Sequence, residues 1–223
     1  DARKCIHWMV DQGVTDGPNH NEWQGFYWES RGRAVLNAAF TSNPTPPRTR
    51  YGNTAFDYSL RYVWDLKAHT EAWRYPVSGR TAKGQGVAPL NDQESMSACI
   101  KEQGLGFLMV GGVGVADEDE EFVEWHRLFK AAQGVKSKPS NSGRSRQRKA
   151  AFEPRQVEAF YFHNLPALEA AKAAGQVTGF LQGKQAPDEP GGEGRTRRPK
   201  YNLAVPKARG SSLAVAQFAW PRT

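Results

Sequence analysis

The segment Ala55–His69, AFDYSLRYVWDLKAH, constrains the fold of this chain more than any other. Phe56, Tyr58, Leu60, Val63, Trp64 and Leu66 give it the apolar content of two consecutive β-strands, joined by a tight turn around Leu60 to Tyr62. Side chains alternate across a strand, so Asp65 and Lys67, two residues apart, leave the same face, and His69 continues it. Apolar neighbours imply burial, and a buried carboxylate requires a partner or a metal. Asp57 and Asp65 are thus a candidate pair of oxygen ligands for a hard divalent cation such as Mg²⁺. A lysine beside that ion, here Lys67, would orient an attacking water while the metal stabilises charge on a phosphate oxygen.

The elements around this hairpin point to an α/β fold. Glu22–Phe40 has apolar residues at helical spacing, with Asn19 or Asn21 as the expected cap and the prolines at positions 44, 46 and 47 forbidding continuation. Trp73–Leu90, rich in Gly and Pro, reads as a long loop. A helix is expected from Asn91 or Asp92 to about Gln103, ended by Gly104. The apolar, Gly-rich run Leu105–Ala116 reads as a buried strand, and Asp117–Ala132 as an amphipathic helix whose acidic first turn is solvated. Strands are expected at Val157–His163, Val177–Leu181, Tyr201–Val205 and Leu213–Phe218, with a short helix at Pro166–Ala174. This order implies a single domain over residues 1–223 with a mixed central β-sheet flanked by helices.

Charge adds a partner class. Residues 1–129 hold 13 basic against 17 acidic side chains, whereas residues 130–223 hold 17 against 6. A slightly acidic half beside a strongly basic one suits a protein that grips a polyanion. The basic residues concentrate in two stretches expected to be flexible loops, 134–149 and 182–200, which carry Arg144, Arg146, Arg148, Lys149, Arg195, Arg197, Arg198 and Lys200. With Arg80 and Lys83 from the Trp73–Leu90 stretch, these are the candidate DNA contacts, Arg suiting guanine edges and Lys suiting phosphates. Two cysteines, Cys5 and Cys99, make neither a disulfide framework nor a zinc site, and Cys99 is expected in the core. No apolar run approaches the roughly 20 residues that span a bilayer, so no membrane partner is expected and the expected location is cytoplasmic. Because it begins at Asp1 rather than Met, the chain is expected to start inside a longer polypeptide.

The set Asp57, Asp65-Leu66-Lys67 resembles the PD-(D/E)XK nuclease superfamily, which includes many type II restriction endonucleases. In that pattern an acid on one strand of a hairpin precedes an acidic-X-Lys on the next, and a glutamate often lies on the preceding helix. Glu29 is placed for that role. Phe56 stands where proline is common, and the gap between the acids is short. The resemblance covers roughly Glu22 to Val110. It implies a restriction-endonuclease-like core, metal ligation by Asp57, Asp65 and the Leu66 carbonyl, and catalytic roles for Asp57, Asp65, Lys67 and Glu29. It further implies a Mg²⁺-dependent endonuclease, with Mn²⁺ as a substitute and Ca²⁺ as an inactive occupant. Its substrate would be a short site in double-stranded DNA, cut by a homodimer. The alternatives are a structure-selective or repair nuclease, a DNase toxin domain, or a basic nucleic-acid-binding protein with no activity.

Overall fold

A computed structural model describes residues 1–41, 48–135, 147–184 and 194–220. In chain order they form α1 (Ala2–Asp11), a 3-10 turn (Gly17–Asn19), α2 (Trp23–Phe40), β1 (Arg50–Tyr51), β2 (Thr54–Ala55), β3 (Tyr58–Ser59), β4 (Val63–Arg74), β5 (Thr81–Lys83), β6 (Val87–Asp92), α3 (Gln93–Gln103), β7 (Leu105–Ala116), α4 (Glu121–Ala132), β8 (Lys149–Phe162), α5 (Leu165–Ala173), β9 (Val177–Phe180), β10 (Lys200–Ala204), α6 (Val205–Arg209) and β11 (Ala214–Ala219). The fold is mixed α/β. The large sheet runs β11-β8-β7-β4-β3, with β5 also on β4, and a smaller antiparallel sheet runs β6-β10-β9. β4 and β7 are parallel, whereas the other pairs in the large sheet are antiparallel. A parallel pair needs a long crossover, and α3 lies within the one that joins β4 to β7.

β7 is apolar along its whole length because it is sandwiched between β4 and β8 and buried on both faces. On one face Phe107, Met109, Phe160 and Phe162 pack with Leu90 and Leu203 of the small sheet, Met96 and Ile100 of α3, and Leu168 of α5. Cys99 joins this core. A second cluster, Ile6, Met9, Trp23 and Phe122, ties α1, α2 and α4 together. α2 reaches the large sheet at Gly32, where a Cβ would come within 2.4 Å of Leu66 on β4. The glycine that weakens the helical pattern is therefore what lets the helix approach the strand.

Several expectations are corrected. Trp73–Leu90 is not one loop: β4 extends to Arg74, β5 pairs back with it, and β6 begins at Val87. Pro89 suggested irregular backbone, but β6 is an edge strand, where proline costs no ladder bond. α2 starts at Trp23 after Glu22 with no side-chain cap, so neither Asn19 nor Asn21 serves. β8 begins at Lys149, eight residues before the expected strand, and β10 begins at Lys200, so both lysines belong to strands rather than to the basic loops. α4 begins at Glu121, and the preceding Asp117 is buried, accepting hydrogen bonds from the N–H groups of Phe122 (3.0 Å) and Val123 (2.8 Å). That acid caps the helix rather than facing solvent. Helix α1 is an addition to the expected elements, with Asp1 capping it through Arg3 N–H at 2.8 Å and Ile6 and Met9 lining its buried side.

Candidate active site

β4 pairs with β3 only at Val63 and Trp64 and with β5 only from Ala72. Between these points no described strand covers its outer edge, and the site lies along this gap. Asp57 sits one residue before β3, whose two residues are far shorter than the strand the sequence suggested. Its Oδ2 accepts from the Leu66 N–H at 2.8 Å. Since the N–H and C=O of one strand residue point the same way, the Leu66 carbonyl also faces the open edge.

Asp57 and Asp65 are both buried, 3% and 2% exposed. Burial pushes the Asp57 carboxyl up to about 7, with the nearby Glu29 carboxyl, in hydrogen-bonding reach, adding to the rise. Asp65 rises to about 6, again chiefly from burial, with Lys67 pulling it down and Asp57 pushing it up. Asp65 is ion-paired to Lys67 through Oδ2. Burial lowers Lys67, but Asp65, Asp57 and Glu29 outweigh it and hold its ammonium above the ordinary lysine value. Glu29, Asp57, Asp65 and Lys67 thus form one coupled group.

Arg48 is the residue that the sequence did not single out. Its guanidinium donates to the carbonyls of Phe56 and Ala55 and to Asp57 Oδ1 at 2.7 Å, and lies 3.6 Å from Glu29. Nothing in the basic stretch 48–53 distinguishes it, because its acceptors are mostly backbone.

The carboxylates line a cleft of about 780 Å³. Arg195, Arg197, Arg198 and Lys200 line the same cleft. That segment is held in place: the Gln93 N–H donates to Pro199 O at 3.0 Å, and the Gln93 and Gln182 amides donate to Lys200 O and Arg198 O. Lys149 lines an adjoining compartment together with Lys67 and His69. His69 is buried, and burial lowers its pKa, with Glu71 opposing. Arg80 and Lys83 do not join the cleft, since Arg80 stacks over Tyr75 at 4.0 Å beyond the far end of β4 and Lys83 pairs with Ala72. Arg148 passes its carbonyl to Asp117 N–H at 3.1 Å and lines neither compartment. Arg144 and Arg146 lie outside the described residues.

The donor set suits a hard cation. Two desolvated carboxylates, one ion-paired with Lys67, lie beside a carbonyl on an open strand edge. Among the described residues no group of three or more His, Cys, Asp or Glu side chains is placed to hold a metal ion. Mg²⁺ does not need such a group, since it binds through one or two carboxylates and keeps several waters. No described helix is long and apolar enough to cross a membrane. Comparison with family models, curated proteins and solved structures finds no match.

Proposed function

We propose that this chain is a Mg²⁺-dependent endodeoxyribonuclease of the PD-(D/E)XK kind. One observation carries the reading: Asp57, Asp65 and Lys67 converge at a cleft that Arg195, Arg197 and Arg198 also line. The order α2, acid, hairpin and acidic-X-Lys strand also follows the pattern the sequence resembled. Asp57, Asp65 and the Leu66 carbonyl would hold the ion, which would supply charge stabilisation on the phosphate oxygens. Lys67 holds the attacking water by donation. Arg48 fixes Asp57 and keeps the Glu29 carboxylate beside it. The arginines of 195–198 draw in the polyanion and neutralise phosphates on either side of the bond to be broken.

The test is cleavage of supercoiled plasmid with Mg²⁺ and with EDTA. Expected are metal-dependent nicking or linearisation and a loss of about a thousandfold or more in Asp65→Asn and Lys67→Ala. Cleavage that persists in Asp65→Asn, or in EDTA, overturns the assignment. Discrete fragments support the restriction-type form, with a homodimer cutting both strands of a short site, and smearing supports a structure-selective enzyme. Tight binding of DNA with no cleavage in any metal supports the non-enzymatic alternative.

A further inference from the structure

The cleft does not end at the carboxylates. It continues into a compartment of about 550 Å³ that shares Glu29, Lys67, Asn91 and Lys200 with the first. That is within the roughly 300–1,000 Å³ of pockets that enclose a small ligand, and too small for a duplex. Its wall at the start of α2 holds Gln24, which is only 9% exposed and whose Oε1 has no hydrogen-bond partner. A buried amide left unpaired costs stability, and a ligand that pairs with it would recover the loss. The same compartment has Phe26 and Trp73 as aromatic surfaces, with the Lys149 ammonium 5.3 Å from the Trp73 ring centroid. A primary amide, aromatic faces and flanking ammoniums are the chemistry of a nucleotide: hydrogen bonds for the base edge, stacking for its face and charge for its phosphate.

We infer that this compartment takes one unpaired nucleotide of the strand being cut, so the substrate class is DNA with a single-stranded or frayed segment next to the scissile phosphate. Gln24 reads the base edge, Phe26 and Trp73 offer it a stacking surface, and Lys149 and Lys200 hold the adjoining phosphates. The inference rests on the nuclease reading for the identity of the strand, but its test needs no cleavage.

Two variants probe it from different sides. Gln24→Leu removes the amide. Gly25→Leu fills the compartment, since a Cβ at Gly25 meets nothing within 4 Å and Gly25 lines the same space. Fluorescence anisotropy in EDTA would compare a labelled single-stranded dodecamer with the blunt duplex of the same sequence. Each variant is expected to weaken single-strand binding about tenfold, to leave duplex binding within about twofold, and to melt no lower than the wild type because each removes a cost to the free fold. A single-strand to duplex affinity ratio unchanged in both variants overturns the inference. Metal-dependent plasmid cleavage alongside that unchanged ratio sinks only this inference. A Gln24-dependent single-strand preference without any cleavage keeps the nucleotide pocket and sinks the nuclease. Failure of both oligonucleotides to bind overturns both.

Discussion

At the scale of single residues, the site packs two buried carboxyls and Glu29 against the Lys67 ammonium and the Arg48 guanidinium. Asp57 and Asp65 have folded pKa values of about 7 and about 6, above their ordinary 3.8. A carboxyl raised in this way favours the folded state while it is protonated. That contribution is intact below about pH 4 and is lost as pH climbs through the folded values, because the unfolded chain ionises more readily. In EDTA the melting temperature of the wild type is therefore expected to lose several degrees between pH 5 and pH 8 relative to Asp57→Asn, which lacks the group with the larger rise. Using the variant as reference removes the opposite pull of His69 and His126, whose lowered values cost stability in acid. Mg²⁺ at pH 8 is expected to return the difference. Parallel pH profiles for the two proteins, measured by thermal melts, would show that the carboxyl is not frustrated.

At the scale of elements, the helix and the strand must meet for Glu29 to stand beside Asp57. Gly32→Val places a branched side chain against Leu66, which is itself buried, and pushes α2 away from β4. Overpacking of this kind costs about 1–3 kcal/mol, and plasmid cleavage is expected to fall further than the reduced stability explains, measured by urea unfolding beside initial rates. Unchanged cleavage in a destabilised variant would remove Glu29 from the machinery. The same meeting of helix and strand shows what a sequence reveals. Asp57, Asp65 and Lys67 were legible because their chemistry and period-two spacing are local. α3 was legible through Asp92, whose side chain accepts from the Ser95 N–H at 2.9 Å, and Gly104, which adopts φ 77°. β5 and β6 were hidden because an edge strand tolerates the Gly and Pro that otherwise signal loops. Arg48 was hidden because its partners are backbone oxygens, and Gln24 because an unpaired amide is a property of the packed state alone.

At the scale of the whole molecule, the two oppositely charged halves meet at one cleft. The acids come from residues before 93 and most of the cations from residues after 148, so the cleft sets its cations beside its carboxylates. Replacing Arg197 and Arg198 together by Ala is expected to reduce the slope of log affinity against log salt by roughly one to two, about 0.9 for each phosphate of duplex DNA that is no longer neutralised. An unchanged slope, read by anisotropy titrations across a salt series, would show that these arginines do not face phosphates. The small sheet has a related consequence for how the molecule comes into being. Its middle strand, β10, is the last of the three to leave the ribosome, and the cations of 195–200 run directly into it. Until that late segment slots between β6 and β9, the cleft lacks Arg195, Arg197, Arg198 and Lys200, so its cationic lining is completed only when the small sheet is.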